Sequence, residues 1–136
     1  MAAELTGGCL CGGVRYELTD PPQSASYCHC TRCQRRSGTA ASPQVRVTPG
    51  TVRFLSGEEL VRWWEPPDGF PKGFCSVCGS ALFSRPPGKT EPTSVRFGTL
   101  DDDPGIRPQW RQFVEYAAVW EPIPEDGLPR YPEGRP

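Results

Sequence analysis

Seven cysteines are the residues of this sequence with the most chemistry to offer. They fall in three tight clusters, Cys9-x-Cys11, Cys28-x-Cys30-x-x-Cys33 and Cys75-x-x-Cys78. The spacing suits a metal. A Cys-x-x-Cys knuckle bends the chain so that two thiolates point at one centre, and tetrahedral zinc takes several of them at about 2.3 Å. Gly7, Gly8, Gly12 and Gly13 flank the first cluster and Gly79 follows the third, as expected where the chain needs φ > 0 or where backbone amides approach sulfur. The odd number of cysteines, and the lack of an apolar run behind a basic N-terminal stretch, disfavour disulfides and make a reducing cytoplasm the default compartment.

One division of seven sulfurs keeps every cluster whole: Cys9, Cys11, Cys75 and Cys78 together, with Cys28, Cys30 and Cys33 apart. Four thiolates close the shell of a structural zinc, which ties the N-terminal region to a distant loop and contributes folding energy. Three thiolates leave a position for water or substrate, the arrangement of a catalytic zinc. Two zincs per chain are therefore expected, the catalytic one on Cys28, Cys30 and Cys33. An Asp or Glu from elsewhere would also close that shell, and sulfur-rich tetrahedral sites accept iron as well as zinc. His29 is the sole histidine. Lying between two ligands, it faces away from a metal they share, so packing or a hydrogen bond to backbone is its expected role.

Three thiolates around a divalent cation leave one net negative charge and a weak Lewis acid. A thiol suits such a centre better than hydroxide, because sulfur-rich zinc lowers the thiol's pKa and holds a thiolate nucleophile in position. Arg32, Arg35 and Arg36 beside Cys33 are placed to offset the charge or to hold the carboxylates of a thiol cosubstrate. For any single one of them a solvated surface face is the plainer role.

The elements that position these clusters read as mostly β. Short alternations of apolar and polar residues recur between turn signals: Val14 to Leu18, Val45 to Val47, Val52 to Leu55, Leu60 to Trp64, Ala81 to Phe83 and Val95 to Phe97. They predict antiparallel sheets. Helix is minimal: Thr31 to Ser37 forms a turn or two, with Thr31 as cap and Gly38 as terminator. Segments 86–93 and 101–108 are loops. Phe74, Trp110 and Trp120 are candidate pocket walls, although aromatics in a small β domain more often fill its core.

A length of 136 residues fits a single domain over residues 1–121 and a Pro-rich C-terminal tail over 122–136, extended along the body or free in solvent. Hydrophobic residues make up only 36%, so a bound metal has a structural task to do. The formal net charge is −1, and Lys72 and Lys89 are the only lysines beside many arginines. No run of five cations occurs, which argues against nucleic acid and membrane surfaces as partners.

The stretches Gly8-Cys9-Leu10-Cys11-Gly12-Gly13-Val14-Arg15-Tyr16, Cys28-His29-Cys30-Thr31-Arg32-Cys33-Gln34-Arg35-Arg36-Ser37-Gly38 and Phe74-Cys75-Ser76-Val77-Cys78-Gly79-Ser80-Ala81-Leu82 resemble, in order and spacing, the glutathione-dependent formaldehyde-activating enzyme family, also called the centromere protein V/GFA domain. Phe97 to Asp102 and Asp126 to Pro129 are similar to it as well. The resemblance spans nearly the whole chain. It implies an Mss4-like, mostly-β fold of antiparallel sheets and the same zinc division: Cys9, Cys11, Cys75 and Cys78 on the structural ion, Cys28, Cys30 and Cys33 on the catalytic one. It also implies a carbon–sulfur lyase that joins a small-molecule thiol and an aldehyde, by family default glutathione and formaldehyde, into S-hydroxymethylglutathione. Two other classes stand beside this reading: a non-catalytic interaction module with two structural zincs, and a thiol redox sensor on Cys28, Cys30 and Cys33.

Overall fold

The computed structural model describes residues 5–136, so the first four residues of the expected 1–121 domain lie outside it. Two sheets make up the body. Strand β2 (Arg15–Leu18) sits between β1 (Leu5–Gly8) and β5 (Val52–Ser56), antiparallel to both. The larger sheet has the order β10-β3-β4-β9-β8-β7-β6. Its strands are β3 (Ser24–Cys28), β4 (Ser42–Arg46), β6 (Val61–Trp64), β7 (Lys72–Cys75), β8 (Ala81–Ser84), β9 (Ser94–Arg96) and β10 (Arg111–Gln112). The expected antiparallel pairing holds for all but β10, which runs parallel to β3. There the chain returns along β3 in the same direction, with Tyr27 N–H donating to Trp110 C=O and His29 N–H to Gln112 C=O.

Aromatic packing joins the sheets. Tyr16 of β2 meets Phe83 of β8 edge-on at 5.2 Å between ring centroids, Phe54 of β5 does so at 5.6 Å, and Trp63 of β6 stacks on Phe83 at 6.3 Å. Each such pair adds about 0.5–1.5 kcal/mol beyond area burial. Tyr16, Phe83, Leu82, Val14, Val45 and Val95 are fully buried. A few large rings thus make a core from a sequence poor in hydrophobic residues.

The single α-helix among the described residues, α1 (Thr31–Ser37), has the expected span but a different start. Cys30, not Thr31, is the cap: its Sγ accepts from the Cys33 amide at 3.3 Å. Thr31 already lies in the first turn. Gly38 ends the helix in the left-handed region at φ 68°, its N–H donating to Gln34 C=O, as expected.

Strands β1, β3, β7 and β10 lie outside the alternating runs. β1 is Leu-Thr-Gly-Gly, and Gly7 has no alternative, because a Cβ there would lie 2.6 Å from the Tyr16 ring. β3 is Ser-Ala-Ser-Tyr-Cys, and β7 carries Gly73 against the Trp63 ring. Small residues hide such strands from a hydrophobic pattern. Residues 129–133 run beside β10: Arg111 N–H donates to Pro129 C=O, Tyr131 N–H returns to Arg111 C=O, and Phe113 N–H donates to Glu133 C=O.

Candidate active site

The structure gathers Cys9, Cys11, Cys75 and Cys78 in one place and Cys28, Cys30 and Cys33 in another, with the sulfurs of each group all within 4.8 Å of one another. No cysteine is in a disulfide. The four-sulfur set lies between the sheets, since Cys9 and Cys11 follow β1 whereas Cys75 ends β7 and Cys78 sits in the turn before β8. Cys9 Sγ lies 3.6 Å from Cys11 Sγ, and Cys11 Sγ lies 3.9 Å from Cys75 Sγ. Four sulfurs at about 2.3 Å from a tetrahedral ion would stand about 3.8 Å apart, so the donor set fits such an ion. Backbone amides approach these sulfurs as expected, Val14 N–H donating to Cys9 at 3.2 Å and Val77 N–H to Cys75 at 3.4 Å. Gly12 and Gly79 close the two knuckles at φ 78° and 79°, where other residues would be strained. Ser80 links the knuckles: its Oγ accepts from Leu10 N–H at 2.9 Å and lies 3.2 Å from Cys78 Sγ, which pulls the Cys78 thiol down to about 5.

The three-sulfur set is built differently. Cys28 ends β3, Cys30 caps α1, and Cys33 lies in the helix's first turn. Among the described residues no carboxylate or imidazole joins them. The sulfurs line a cleft of about 390 Å³, shared with Ser84, Ser94, Lys72, Trp110 and Phe113 and without an acidic side chain. Hydrogen bonds from Cys28 and Cys33 favour a thiolate at Cys30, whereas contacts with Cys30, then Cys33, push the Cys28 thiol up.

One buried and two half-buried cations lie near this set. Arg96 is 7% exposed and donates to Ser42 Oγ at 2.9 Å and Gln44 Oε1 at 3.0 Å. Burial lowers its pKa, partly offset by the sulfurs of Cys33 and Cys28. Burial, then Arg96, brings Arg36 down to about 9, and burial, then Arg36 and Arg96, lowers Lys72. Arg96 Nε and Arg36 Nη1 are buried without a hydrogen-bond partner. The sulfurs oppose that lowering, Cys33 for all three cations and Cys30 for Lys72 and Arg96 as well.

A family model for the glutathione-dependent formaldehyde-activating enzyme matches residues 4–116. The chain belongs to this family. A crystal structure of a Rhodobacter sphaeroides protein matches with TM-score 0.53 and 22% identity, covering 93% of this chain and 98% of that one, a likeness of fold. Among curated proteins none matches.

Within this family member, the other residues singled out in the sequence separate. His29 is 3% exposed and faces away from the sulfurs, as expected, but its partner is a side chain: Arg111 Nη1 approaches His29 Nε2 at 3.2 Å. Burial, then Arg111 and Arg130, keeps the imidazole pKa below its usual value. Asp126 in turn holds Arg111 through Oδ2, at 3.1 Å from Nε and 2.8 Å from Nη2. Arg32 lines the cleft but is paired with Asp68 at 2.8 Å, and Arg35 is not in the cleft wall. Of the aromatic candidates Trp110 walls the cleft, Phe74 lines a neighbouring cavity, and Trp120 is 67% exposed and lines neither. Phe113 was missed; it is the one non-glycine residue described at positive φ, 56°. Arg96 and Lys72 were missed too, Arg96 because a polar position in an alternating strand looks solvent-facing until its cover is known, Lys72 because β7 shows no alternation.

Proposed function

We propose that this chain is a zinc-dependent carbon–sulfur lyase acting on thiol–aldehyde adducts, with glutathione and formaldehyde as its default pair. Cys9, Cys11, Cys75 and Cys78 hold a structural zinc, and Cys28, Cys30 and Cys33 a catalytic one. A single observation carries the reading: the three-sulfur set lines an acid-free cleft and has no fourth protein ligand among the described residues. When bound there, zinc supplies a site at which a thiol loses its proton near neutral pH.

The chain's own residues do the rest. Arg36, Lys72 and Arg96 stabilise the negative charge of the sulfurs and of an incoming thiolate. Trp110 and Phe113 restrict the cleft, holding thiol and aldehyde together and offsetting the entropy of bringing two molecules into contact. The sulfur lone pair forms the C–S bond to the carbonyl carbon, the C=O π pair moves to oxygen, and that oxygen takes the proton the thiol released. The hydrogen-bonded hydroxyls of Ser84 and Ser94 line the same cleft and offer a donor to the developing alkoxide. Cleavage of the adduct reverses these steps.

The test is adduct formation from glutathione and formaldehyde, followed by NMR with zinc-loaded protein. Acceleration over buffer in both directions, lost in Cys30→Ser, is the expected result. Equal rates with and without protein would leave the three-sulfur set a scaffold.

A further inference from the structure

The arginines of α1 are only partly used by that chemistry. Arg32, Arg35 and Arg36 stand at i, i+3 and i+4, on one face of the helix. That face and the β6–β7 hairpin enclose a second cavity of about 410 Å³, lined by Arg32, Arg35, Arg36, Trp64, Lys72 and Phe74 and by no carboxylate. Register explains the opposite wall. Trp64 pairs with Lys72 across the hairpin, and Phe74 lies two residues beyond Lys72, so all three project from the same side of the sheet.

The four cations differ in what already satisfies them. Arg32 is neutralised by Asp68. Arg36 donates through Nη2 to Gly73 C=O at 2.8 Å and Phe83 C=O at 2.9 Å, which leaves its buried Nη1 without a partner. Arg35 and Lys72 have no ion pair among the described residues. The metal assignment above gives the three-sulfur centre one net negative charge, so Arg35, Arg36 and Lys72, the cations of this cavity without a carboxylate partner, leave an excess of two positive charges. A dianion matches that excess. Trp64, 56% exposed at the cavity edge, adds a flat apolar surface for a ring.

We infer that this cavity, which adjoins the sulfur cleft through the shared Arg32 and Lys72, is a second ligand site for a phosphate monoester carried on a flat ring. A monoester bears about −1.5 to −2 charge at neutral pH and presents oxygens that a guanidinium meets in bidentate fashion. Its ring lies against Trp64 and Phe74. The charge count rests on the proposed catalytic metal, but the binding assay needs neither thiol nor aldehyde, so it succeeds or fails separately from the lyase reaction.

Calorimetry and tryptophan fluorescence with phenyl phosphate test the site on the zinc-loaded full chain. Saturable binding is expected, with inorganic phosphate and benzoate each weaker by about tenfold, the first for want of the ring and the second for want of the second charge. Arg35→Gln and Trp64→Leu alter residues that line this cavity and not the cleft. Each is expected to weaken phenyl phosphate by about tenfold, and Trp64→Leu to abolish the quenching. Both residues are exposed, so both variants are expected to fold, with thermal melting as the check. No saturable binding of phenyl phosphate, equal binding of either simpler anion, or unchanged affinity in both variants would each overturn the inference.

Discussion

Two clusters of the same ligand type sit in one small protein with different surroundings. The four-sulfur set spans the two sheets, its shell completed by its own knuckles and its sulfurs held by amides and Ser80. Arg15, whose charge reaches Cys9, is engaged by Asp101. The three-sulfur set lies at one helix start, opens into a cleft, and has Arg36, Lys72 and Arg96 close by without carboxylate partners. In the proposed assignment, ligand number, access and local charge, not thiolates alone, separate scaffold from chemistry.

The comparison breaks most sharply on single cysteines. Cys75 is fully buried and its sulfur lies with those of Cys9 and Cys11, which follow β1 of the other sheet, so Cys75→Ser is expected to lose the proposed structural zinc and with it about 4 kcal/mol or more of stability, read as loss of a cooperative thermal transition. Cys30→Ser is expected to keep that transition while slowing the thiol–aldehyde reaction about a hundredfold or more. The reverse pattern would exchange the two roles.

Chelation sharpens the same contrast. With a chromogenic chelator under reducing conditions, one zinc equivalent is expected to leave at least about tenfold faster than the second, with far-UV dichroism changing only on loss of the second. A single release phase would erase the distinction.

Charge around the three-sulfur set gives a smaller effect. Lys72→Met removes one cation, so the thiolate is less stabilised and its pKa rises. Thiol affinity at neutral pH is then expected to fall about fivefold to tenfold, with the acid limb of its pH profile moved upward. An unchanged profile would remove Lys72 from the account.

Asp126 gives the smallest. Its carboxyl is held below the usual range first by the hydrogen bonds from Arg111. A depressed folded-state pKa stabilises above the unfolded value, about pH 3.9, and loses that contribution as pH falls through the folded value. Asp126→Asn is therefore expected to lower the melting temperature slightly at neutral pH and not at all in strong acid, as melting curves across pH would show.

The sulfur groups were legible in sequence because ligand type, short spacing and adjacent glycine are local properties, and the sorting of Cys9, Cys11, Cys75 and Cys78 from Cys28, Cys30 and Cys33 followed from keeping clusters whole. The span of α1 and its Gly38 stop were equally local. What escaped was decided by distant residues. β7 gives little hydrophobic signal because Gly73 makes room for Trp63, and Arg96 reads as an outward strand position until β4 supplies Ser42 and Gln44 as partners. The same holds for His29, whose environment comes from Arg111 and Asp126, far along the chain.

Zinc-edge X-ray absorption on protein loaded with two equivalents of zinc, with and without glutathione, tests the central claim most directly. An average of about 3.5 sulfurs per zinc, rising to about 4 when glutathione is added, is the predicted result. A sulfur count that glutathione does not change, with a constant nitrogen or oxygen neighbour supplied by the chain, would contradict it.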